Sequence, residues 1–486
     1  MTERDSGYRP IRYHELTKHS PASVRAGVHR IDWMDQPEPF KDYLELEPIP
    51  LPKRAPNTGF PVSNALFGEL GRPRELDAAE LARLLALSAG VRRVRSQPSG
   101  KPVYLRNYAC AGALYPVEVY AACAGIAGVD DGLYHYSPRE DSLRLIRPGD
   151  PRPYLVRAGG FRPSLAQARL TVILTGIPWR TNWKYKARGY RHLYWDSGMI
   201  VANLLALSAS GGHRSEVMLG FADEEIDRLV GIDGRTEMSL CLVPIGFGQE
   251  SGEVVPPAES PAEQVDHLVG KLSYRTREYD EVLEAHLQTG LRSPAEARAW
   301  QQDPYPNQAP PPPATAFTGI EQTIRRRGSK RMFTPAPILK DDLEGVISAS
   351  TYSLDCDWGL DLTQVGVIAN AVDGIEPGAY SAVWGMQQIA FGDLREKAKF
   401  LCLEQDLGGD AAATMFLLTD LEDAAFTLGP RSYRAAQLNA GIVGGRMYLC
   451  AYASGLGATG LTFYDDEVRA FFQTEAEPML VVAIGR

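Results

Sequence analysis

One pattern occurs twice in the chain, as RGYRHLYWDSGMIVANLLALSASGG at residues 188–212 and as RSYRAAQLNAGIVGGRMYLCAYASG at residues 431–455. Each copy opens with Arg-x-Tyr-Arg and continues into an apolar run that ends at glycine. Such a run is typical of a buried helix, and it is too short to cross a bilayer, which takes about 20 residues.

Further matches flank these two stretches. They are Leu76–Leu85 with Leu339–Ile347, Gly132–Tyr134 with Gly378–Tyr380, Asp223–Ile226 with Asp465–Val468, and the closing apolar strands Leu240–Gly246 with Met479–Gly485. Because the matches keep the same order, the sequence predicts a tandem duplication, and a duplicated domain often imitates a symmetric homodimer.

A proline-rich segment from Glu253 to Pro313 separates the two copies. It ends in four consecutive prolines, Pro310–Pro313, which favour an extended spacer, while Ser260–Trp300 has helical spacing. Apolar strands alternate with helical patterns in both copies, so we expect an α+β fold with helices packed on a sheet. The predicted division is an N-terminal segment over 1–60, a first domain over 61–252, a linker over 253–315 and a second domain over 316–486.

Composition excludes several classes of protein. The chain has 486 residues, 44% of them hydrophobic, and a formal net charge of -9, which argues against a nucleic-acid-binding protein. Its six cysteines contain no C-x-x-C pair, and its histidines have no ligand spacing, so we expect no metal site. The first residues lack the apolar core of a signal peptide, and we expect a cytoplasmic protein without a membrane segment.

The copies differ in length at one place. Leu76 and Gly132 are 56 positions apart, whereas Leu339 and Gly378 are 39 apart. The extra segment of the first copy includes Arg106–Pro116, in which Ala109, Cys110, Ala111 and Gly112 are all small. Small side chains let backbone amides approach a flat ligand, although a tight loop before a strand explains them as well. Cys110 is a candidate nucleophile or a small core residue.

Two adjacent residues, Lys184 and Tyr185, form a candidate proton acceptor and donor. Lysine becomes a base near neutral pH only if burial or neighbouring cations lower its pKa, and Lys186, Arg188 and Arg191 are candidates for those cations. An exposed basic turn that binds an anion is the alternative.

The second copy has a basic cluster, Arg325–Arg331, after a helical stretch that begins near Gly319. The guanidinium groups of Arg327 and Arg331 match phosphate oxygens, and the Ser329 hydroxyl can complete such a site. A solvated basic helix end is the alternative.

Together these motifs resemble the FMN-dependent nitroreductase superfamily, and within it the SagB/ThcOx-type dehydrogenases that oxidise azolines in ribosomal peptide biosynthesis. Residues 106–116 resemble the family's flavin loop, with Ala109 and Cys110 where Pro and Ser are usual. Trp183–Arg191 resembles its Lys-Tyr catalytic segment, and Arg327–Arg331 resembles its phosphate motif. The resemblance also suggests that backbone at Gly460 and Leu461 faces the flavin.

The resemblance implies a flavin bound between two copies of the fold, with the loop from one copy and the arginines from the other. The first copy has the loop but not the arginines, and the second has the arginines but not the loop. We therefore expect an intrachain pseudo-dimer of two nitroreductase-like domains that binds a single FMN.

The implied activity is oxidation of a heterocycle, with Lys184 as the base and Tyr185 as its partner. The implied substrate is a peptide or small-molecule heterocycle, and the implied partner is a cyclodehydratase or another biosynthetic enzyme; further homodimerisation stays open. The alternatives are an NAD(P)H-dependent reductase of nitro or quinone compounds and a flavin-free scaffold of a peptide-modification complex.

Overall fold

The computed structural model describes residues 9–27, 31–96, 102–248, 255–303, 318–382 and 385–486. The helices are α1 (Arg9–Leu16), α2 (Pro21–Ala26), α3 (Val62–Leu66), α4 (Ala78–Ala89), α5 (Arg152–Ala158), α6 (Pro163–Gln167), α7 (Pro178–Tyr185), α8 (Gly189–Ser210), α9 (Asp223–Val230), α10 (Asp280–Gln288), α11 (Pro294–Trp300), α12 (Ile320–Arg326), α13 (Lys340–Ser350), α14 (Arg395–Leu401), α15 (Asp406–Asp410), α16 (Leu421–Leu428), α17 (Ser432–Ala453) and α18 (Asp465–Phe472). The strands are β1 (Ile49–Pro50), β2 (Val91–Ser96), β3 (Pro102–Arg106), β4 (Val117–Cys123), β5 (Gly132–Ser137), β6 (Ser142–Pro148), β7 (Leu170–Gly176), β8 (Met238–Ile245), β9 (Ile338–Leu339), β10 (Gln364–Ala369), β11 (Val372–Asp373), β12 (Gly378–Ser381), β13 (Gln387–Phe391), β14 (Ala413–Thr419), β15 (Gly457–Leu461) and β16 (Glu477–Gly485).

Each copy of the sequence builds one lobe around a six-stranded sheet. The order is β1-β6-β5-β4-β7-β8 in the first lobe and β13-β12-β10-β14-β16-β15 in the second. The shared centre of both sheets is antiparallel, with β4-β7-β8 corresponding to β10-β14-β16. The predicted α+β fold with two repeated domains in an intrachain pseudo-dimer is confirmed.

The two quoted stretches form the long helices α8 and α17, which pack against each other at the centre of the molecule. Nearly all residues of both helices are buried, which explains why their sequences are apolar on every face. The helices meet at Gly198 and Gly441, which occupy the same position in the two copies. A Cβ on Gly198 would lie 2.4 Å from the Gly441 carbonyl carbon, so only glycine permits this approach.

Buried ion pairs join the lobes beside the N-terminal ends of both helices. Arg188 and Arg191 of the first lobe bind the Asp465 carboxylate of the second, at 2.9 Å each. Arg431 and Arg434 of the second lobe bind Asp223 of the first in the same way. The Arg-x-Tyr-Arg motif thus fastens each lobe to the other.

The segment predicted as a linker contains a counterpart of the N-terminal helix. Arg191 donates to Thr17 Oγ1 and to the His14 carbonyl, and Arg434 donates in the same way to Thr289 Oγ1 and to the His286 carbonyl. Helices α1 and α10 therefore make equivalent contacts, α1 with Arg191 at the start of α8 and α10 with Arg434 near the start of α17. The run Pro310–Pro313 lies outside the described residues.

The extra residues of the first copy include a hairpin, β2–β3, for which the second lobe has no counterpart among its described strands. The hairpin leads directly into the small-residue segment that begins at Ala109. In the part of the chain that the structure describes, every helix is too short or too polar to cross a membrane.

Candidate active site

The small-residue segment forms a tight turn between β3 and β4. Gly112 has a φ of +65°, and the non-glycine residues Ala113 and Tyr115 have φ values of 54° and 50°. A Cβ on Gly112 would lie 3.0 Å from Tyr185 Oη and 3.2 Å from Lys184 Nζ. The turn therefore brings the Gly112 backbone against the predicted Lys-Tyr pair, and left-handed backbone held in this way is often found at functional sites.

Lys184 and Tyr185 end helix α7, which stops at Lys186 with a φ of 52°. The Lys184 side chain is half-buried, and its Nζ lies 5.2 Å from the centre of the Tyr185 ring. That ring stacks on His192 at a centroid distance of 4.2 Å. Burial raises the pKa of Tyr185, so the phenol stays protonated near neutral pH.

Burial lowers the pKa of Lys184, and the Arg331 charge from the second lobe lowers it further. The expectation that Arg188 and Arg191 supply this positive field is wrong, because both guanidinium groups are held by Asp465. The field comes instead from the predicted phosphate motif across the lobe boundary.

The basic cluster begins where helix α12 ends. Arg327 is buried, and one of its terminal nitrogens donates to the Arg106 carbonyl oxygen at 3.1 Å, so this residue of the second lobe reaches the chain that leads into the first lobe's loop. Its Nε is buried without a hydrogen-bond partner among the described residues. Arg331 is exposed but lies close enough to Lys184 for its charge to act there.

Tyr448 on α17 links three of the predicted site residues. Its Oη is 3.3 Å from Ser329 Oγ and accepts a hydrogen bond from the Gly460 amide at 2.6 Å. The Arg327 guanidinium lies over its ring, 5.7 Å from the centre. Leu461 follows Gly460 in β15 and is buried. Sequence reasoning missed Tyr448, although a tyrosine that interrupts an apolar helix and matches Leu205 in the other copy is a usable signal.

Cys110 is bonded to an acidic residue that the sequence analysis also missed. Its thiol donates to Asp196 Oδ2 at 3.0 Å, and the Ala111 amide donates to Asp196 Oδ1 at 3.2 Å. Burial raises the pKa of Cys110 well above its ordinary value, and the Asp196 charge raises it further. Because a thiol in this state is not a thiolate, the geometry favours an anchoring role for Cys110 over a nucleophilic one.

On the other side of the pseudo-dimer, protein residues occupy the position that corresponds to the candidate active site. Val217, the counterpart of Gly460, pairs through its backbone with Cys356 of the second lobe. The Asp357 carboxylate accepts hydrogen bonds from two backbone amides of the first lobe, and Trp358 beside it is completely buried. Protein atoms therefore fill this position.

The Lys-Tyr pair at residues 184 and 185 also has no counterpart in the second copy of the sequence. The residues that precede α17 at the positions of Lys184 and Tyr185 are Thr427 and Leu428. Neither can exchange a proton as lysine and tyrosine do. Across the described ranges, no group of three or more His, Cys, Asp or Glu side chains is placed to hold a metal ion.

Comparison with known proteins matches both lobes to one family. The model of the nitroreductase family matches residues 72–247 and 324–486. A crystal structure of an Anabaena variabilis protein assigned as a nitroreductase shares 26% identity with a TM-score of 0.80 over 99% of both chains. A Methanocaldococcus jannaschii protein assigned as a nitroreductase is 28% identical over 35% of this chain and 81% of its own length. The microcin B17-processing protein McbC of Escherichia coli is 26% identical over 28% of this chain and 52% of its own. The chain therefore belongs to the nitroreductase family.

Proposed function

We propose that the chain is an FMN-dependent oxidoreductase that binds one flavin and oxidises a heterocycle of the azoline type, or a related C–N or C–C bond, on a peptide or small molecule. The similarity to McbC, whose name states a role in microcin processing, supports a biosynthetic substrate. A partner enzyme that forms the heterocycle, such as a cyclodehydratase, is part of this proposal.

One observation carries the proposal: Lys184 of the first lobe lies against Gly112, and the charge of Arg331 from the second lobe lowers the pKa of Lys184. The residues around it suit FMN. Arg331 offers a positive charge for the phosphate, the buried Nε of Arg327 lacks a partner among the described residues, and Gly112 leaves out the methyl group that would crowd Lys184 Nζ and Tyr185 Oη. Ser329, Ala109, Cys110, Ala111, Gly460 and Leu461 are the further proposed contacts.

Lys184 and Tyr185 would remove the substrate proton and orient the substrate. A lowered pKa leaves more of Lys184 as the free amine, whose Nζ would take a proton from the carbon beside the substrate C=N bond. The Tyr185 hydroxyl, which keeps its proton, would orient the substrate by donating a hydrogen bond. Bound FMN would supply the two-electron acceptor.

Flavin stoichiometry tests the single site. We expect one FMN per chain, measured as flavin absorbance released from a known amount of protein. The closed position at Cys356–Trp358 is the reason for this value. Two FMN per chain would contradict the asymmetry, and no FMN after addition of the cofactor would favour the flavin-free scaffold.

The variant Lys184→Ala tests the proposed base. We expect it to retain flavin absorbance and to lose turnover of an azoline peptide by at least about a hundredfold, the scale of general-base catalysis. Lys186→Ala is the matched control, because Lys186 is exposed two residues away. Full activity of Lys184→Ala would remove Lys184 from this role.

The family name also supports a second activity, the reduction of nitro or quinone compounds by NAD(P)H. Rapid anaerobic bleaching of the flavin by NAD(P)H would favour that activity. We expect slow bleaching by NAD(P)H and faster bleaching by an azoline substrate.

A further inference from the structure

A cavity of about 400 Å³ lies within the second lobe, away from Lys184 and Gly112. One part of its wall is apolar and includes Leu354, Val365, Ile442 and Val443. The polar part of the wall includes Thr351, Tyr352, Asp361, Thr363, Asn439 and Arg446. A cavity of this size and mixed lining suits a small organic molecule.

The cavity exists because the second copy is shorter than the first. In the first lobe, the position of Arg446 is occupied by Asn203, whose amide nitrogen donates to the Asn107 carbonyl oxygen at 2.9 Å. Asn107 is buried and follows directly after the β2–β3 hairpin. The second lobe has no counterpart of that hairpin among its described strands, and the space stays open.

Arg446 lines this cavity without an ion-pair contact among the described residues, although the Asp361 carboxylate on the same wall is near enough for its charge to act on the guanidinium. Its side chain is buried, and one terminal nitrogen donates to the Tyr352 carbonyl oxygen at 2.5 Å. Its Nε is buried and has no hydrogen-bond partner, and no carboxylate of the described residues lies within ion-pair distance. Burial of an unpaired guanidinium is costly, so its position over an open cavity calls for an anion.

We propose that this cavity is a binding site for a small organic carboxylate, whose charged end pairs with Arg446 and whose apolar part contacts Leu354, Val365, Ile442 and Val443. The site would be separate from the candidate active site, and the proposal does not depend on flavin binding.

The composition of the wall limits the class of ligand. A single guanidinium balances one negative charge, which favours a carboxylate over a phosphate dianion. Asp361, at the same cavity, would repel additional anionic charge. The Asn439 amide, which donates to Thr363 Oγ1 at 2.7 Å, adds a polar group for orienting the ligand.

Binding of hexanoate, compared with hexanamide, tests the charge requirement. We expect hexanoate to bind the full-length protein, measured by ligand-observed NMR and by a rise in melting temperature, at least about tenfold more tightly than hexanamide. The variant Arg446→Met keeps an unbranched side chain but removes the guanidinium, and it should weaken hexanoate binding by at least about tenfold. Equal binding of the two probes, or unchanged hexanoate binding by Arg446→Met, would overturn the proposal.

Val443→Phe tests the location independently, because it fills the apolar part of the cavity and leaves Arg446 in place. We expect it to abolish hexanoate binding. The proposal would also be overturned if this variant bound hexanoate with wild-type affinity, or if the wild-type protein did not bind hexanoate at tens of millimolar.

Discussion

At the scale of single residues, the Cys110–Asp196 pair fixes the turn that faces Lys184. Asp196 accepts hydrogen bonds from the Cys110 thiol and from the Ala111 amide, and no cation lies within ion-pair distance of it in the described chain. Burial raises the pKa of Asp196 to about 7. The second lobe has Asn439 at this position, and its amide bonds Thr363 instead. The anchored turn is thus a property of the first lobe alone.

The variant Asp196→Asn should change how stability depends on pH. The ordinary pKa of 3.8 rises to about 7 on folding, so the native state holds a proton that the unfolded chain loses between these values. Because the folded state binds this proton more tightly, the free energy of unfolding of the wild-type protein falls as pH rises between these two pKa values. The asparagine side chain does not titrate, so the variant lacks this fall. We expect the unfolding free energy of Asp196→Asn, relative to wild type, to increase by a few kcal/mol from about pH 4 to pH 8.

Urea denaturation at several pH values measures this change. Asp266→Asn is the control, because Asp266 is exposed. If Asp196→Asn and the wild-type protein show the same dependence on pH, the pKa of Asp196 does not rise on folding, and the predicted protonation of its buried carboxyl group is wrong.

The candidate site was predictable where its residues form a local motif. Gly112, Lys184 and Arg331 each belong to a short recognisable segment, and the structure brings the three segments together. Tyr448 and Asp196 were not predicted, because they lie on the long buried helices. Periodicity shows that such a helix is buried but not which of its polar residues faces the other lobe.

At the scale of elements, the two lobes exchange equivalent contacts. Arg191 binds Asp465, and Arg434 binds Asp223, with helix α1 or α10 completing each cluster. The matching Asp-containing segments were predicted from the sequence, but their exchange between lobes was not, because sequence similarity does not show which copy a side chain contacts. The equivalent roles of α1 and α10 lead us to propose that the second repeat begins within residues 253–315.

Asp465→Asn and Asp223→Asn should destabilise the protein to a similar extent. Each carboxylate pairs with two buried arginines, and the charges of Arg431 and Arg434 lower the pKa of Asp223 to about 2 despite its burial. Removing one partner from a buried ion pair costs about 3–5 kcal/mol. Chemical denaturation measures the loss, and Asp466→Asn is the control because Asp466 is exposed. A loss of less than 1 kcal/mol in either variant, as is typical of surface ion pairs, would contradict the role of that cluster.

At the scale of the whole molecule, duplication has produced two similar lobes and one candidate site. The lobes meet along α8 and α17, and the two sides of their boundary have diverged. On one side Gly112 and Arg331 approach Lys184, and on the other Cys356 pairs with Val217. The position of the helix pair therefore sets the distance between the two halves of the candidate site.

The variant Gly441→Ala tests this dependence. A Cβ at residue 441 would lie 2.7 Å from the Trp195 carbonyl oxygen, so the helices must separate to admit it. Alanine adds about 1 kcal/mol of helix propensity, but overpacking costs about 1–3 kcal/mol or more, and we expect a net loss of stability in chemical denaturation. Separation of the helices would also move Arg331 away from Gly112, so the affinity of Gly441→Ala for FMN should be lower than that of the wild-type protein. Gly270→Ala, where the nearest atom to an added Cβ is 3.6 Å away, is the control. If Gly441→Ala is as stable as the wild-type protein and binds FMN equally well, the backbone contact between the helices does not set the geometry of the site.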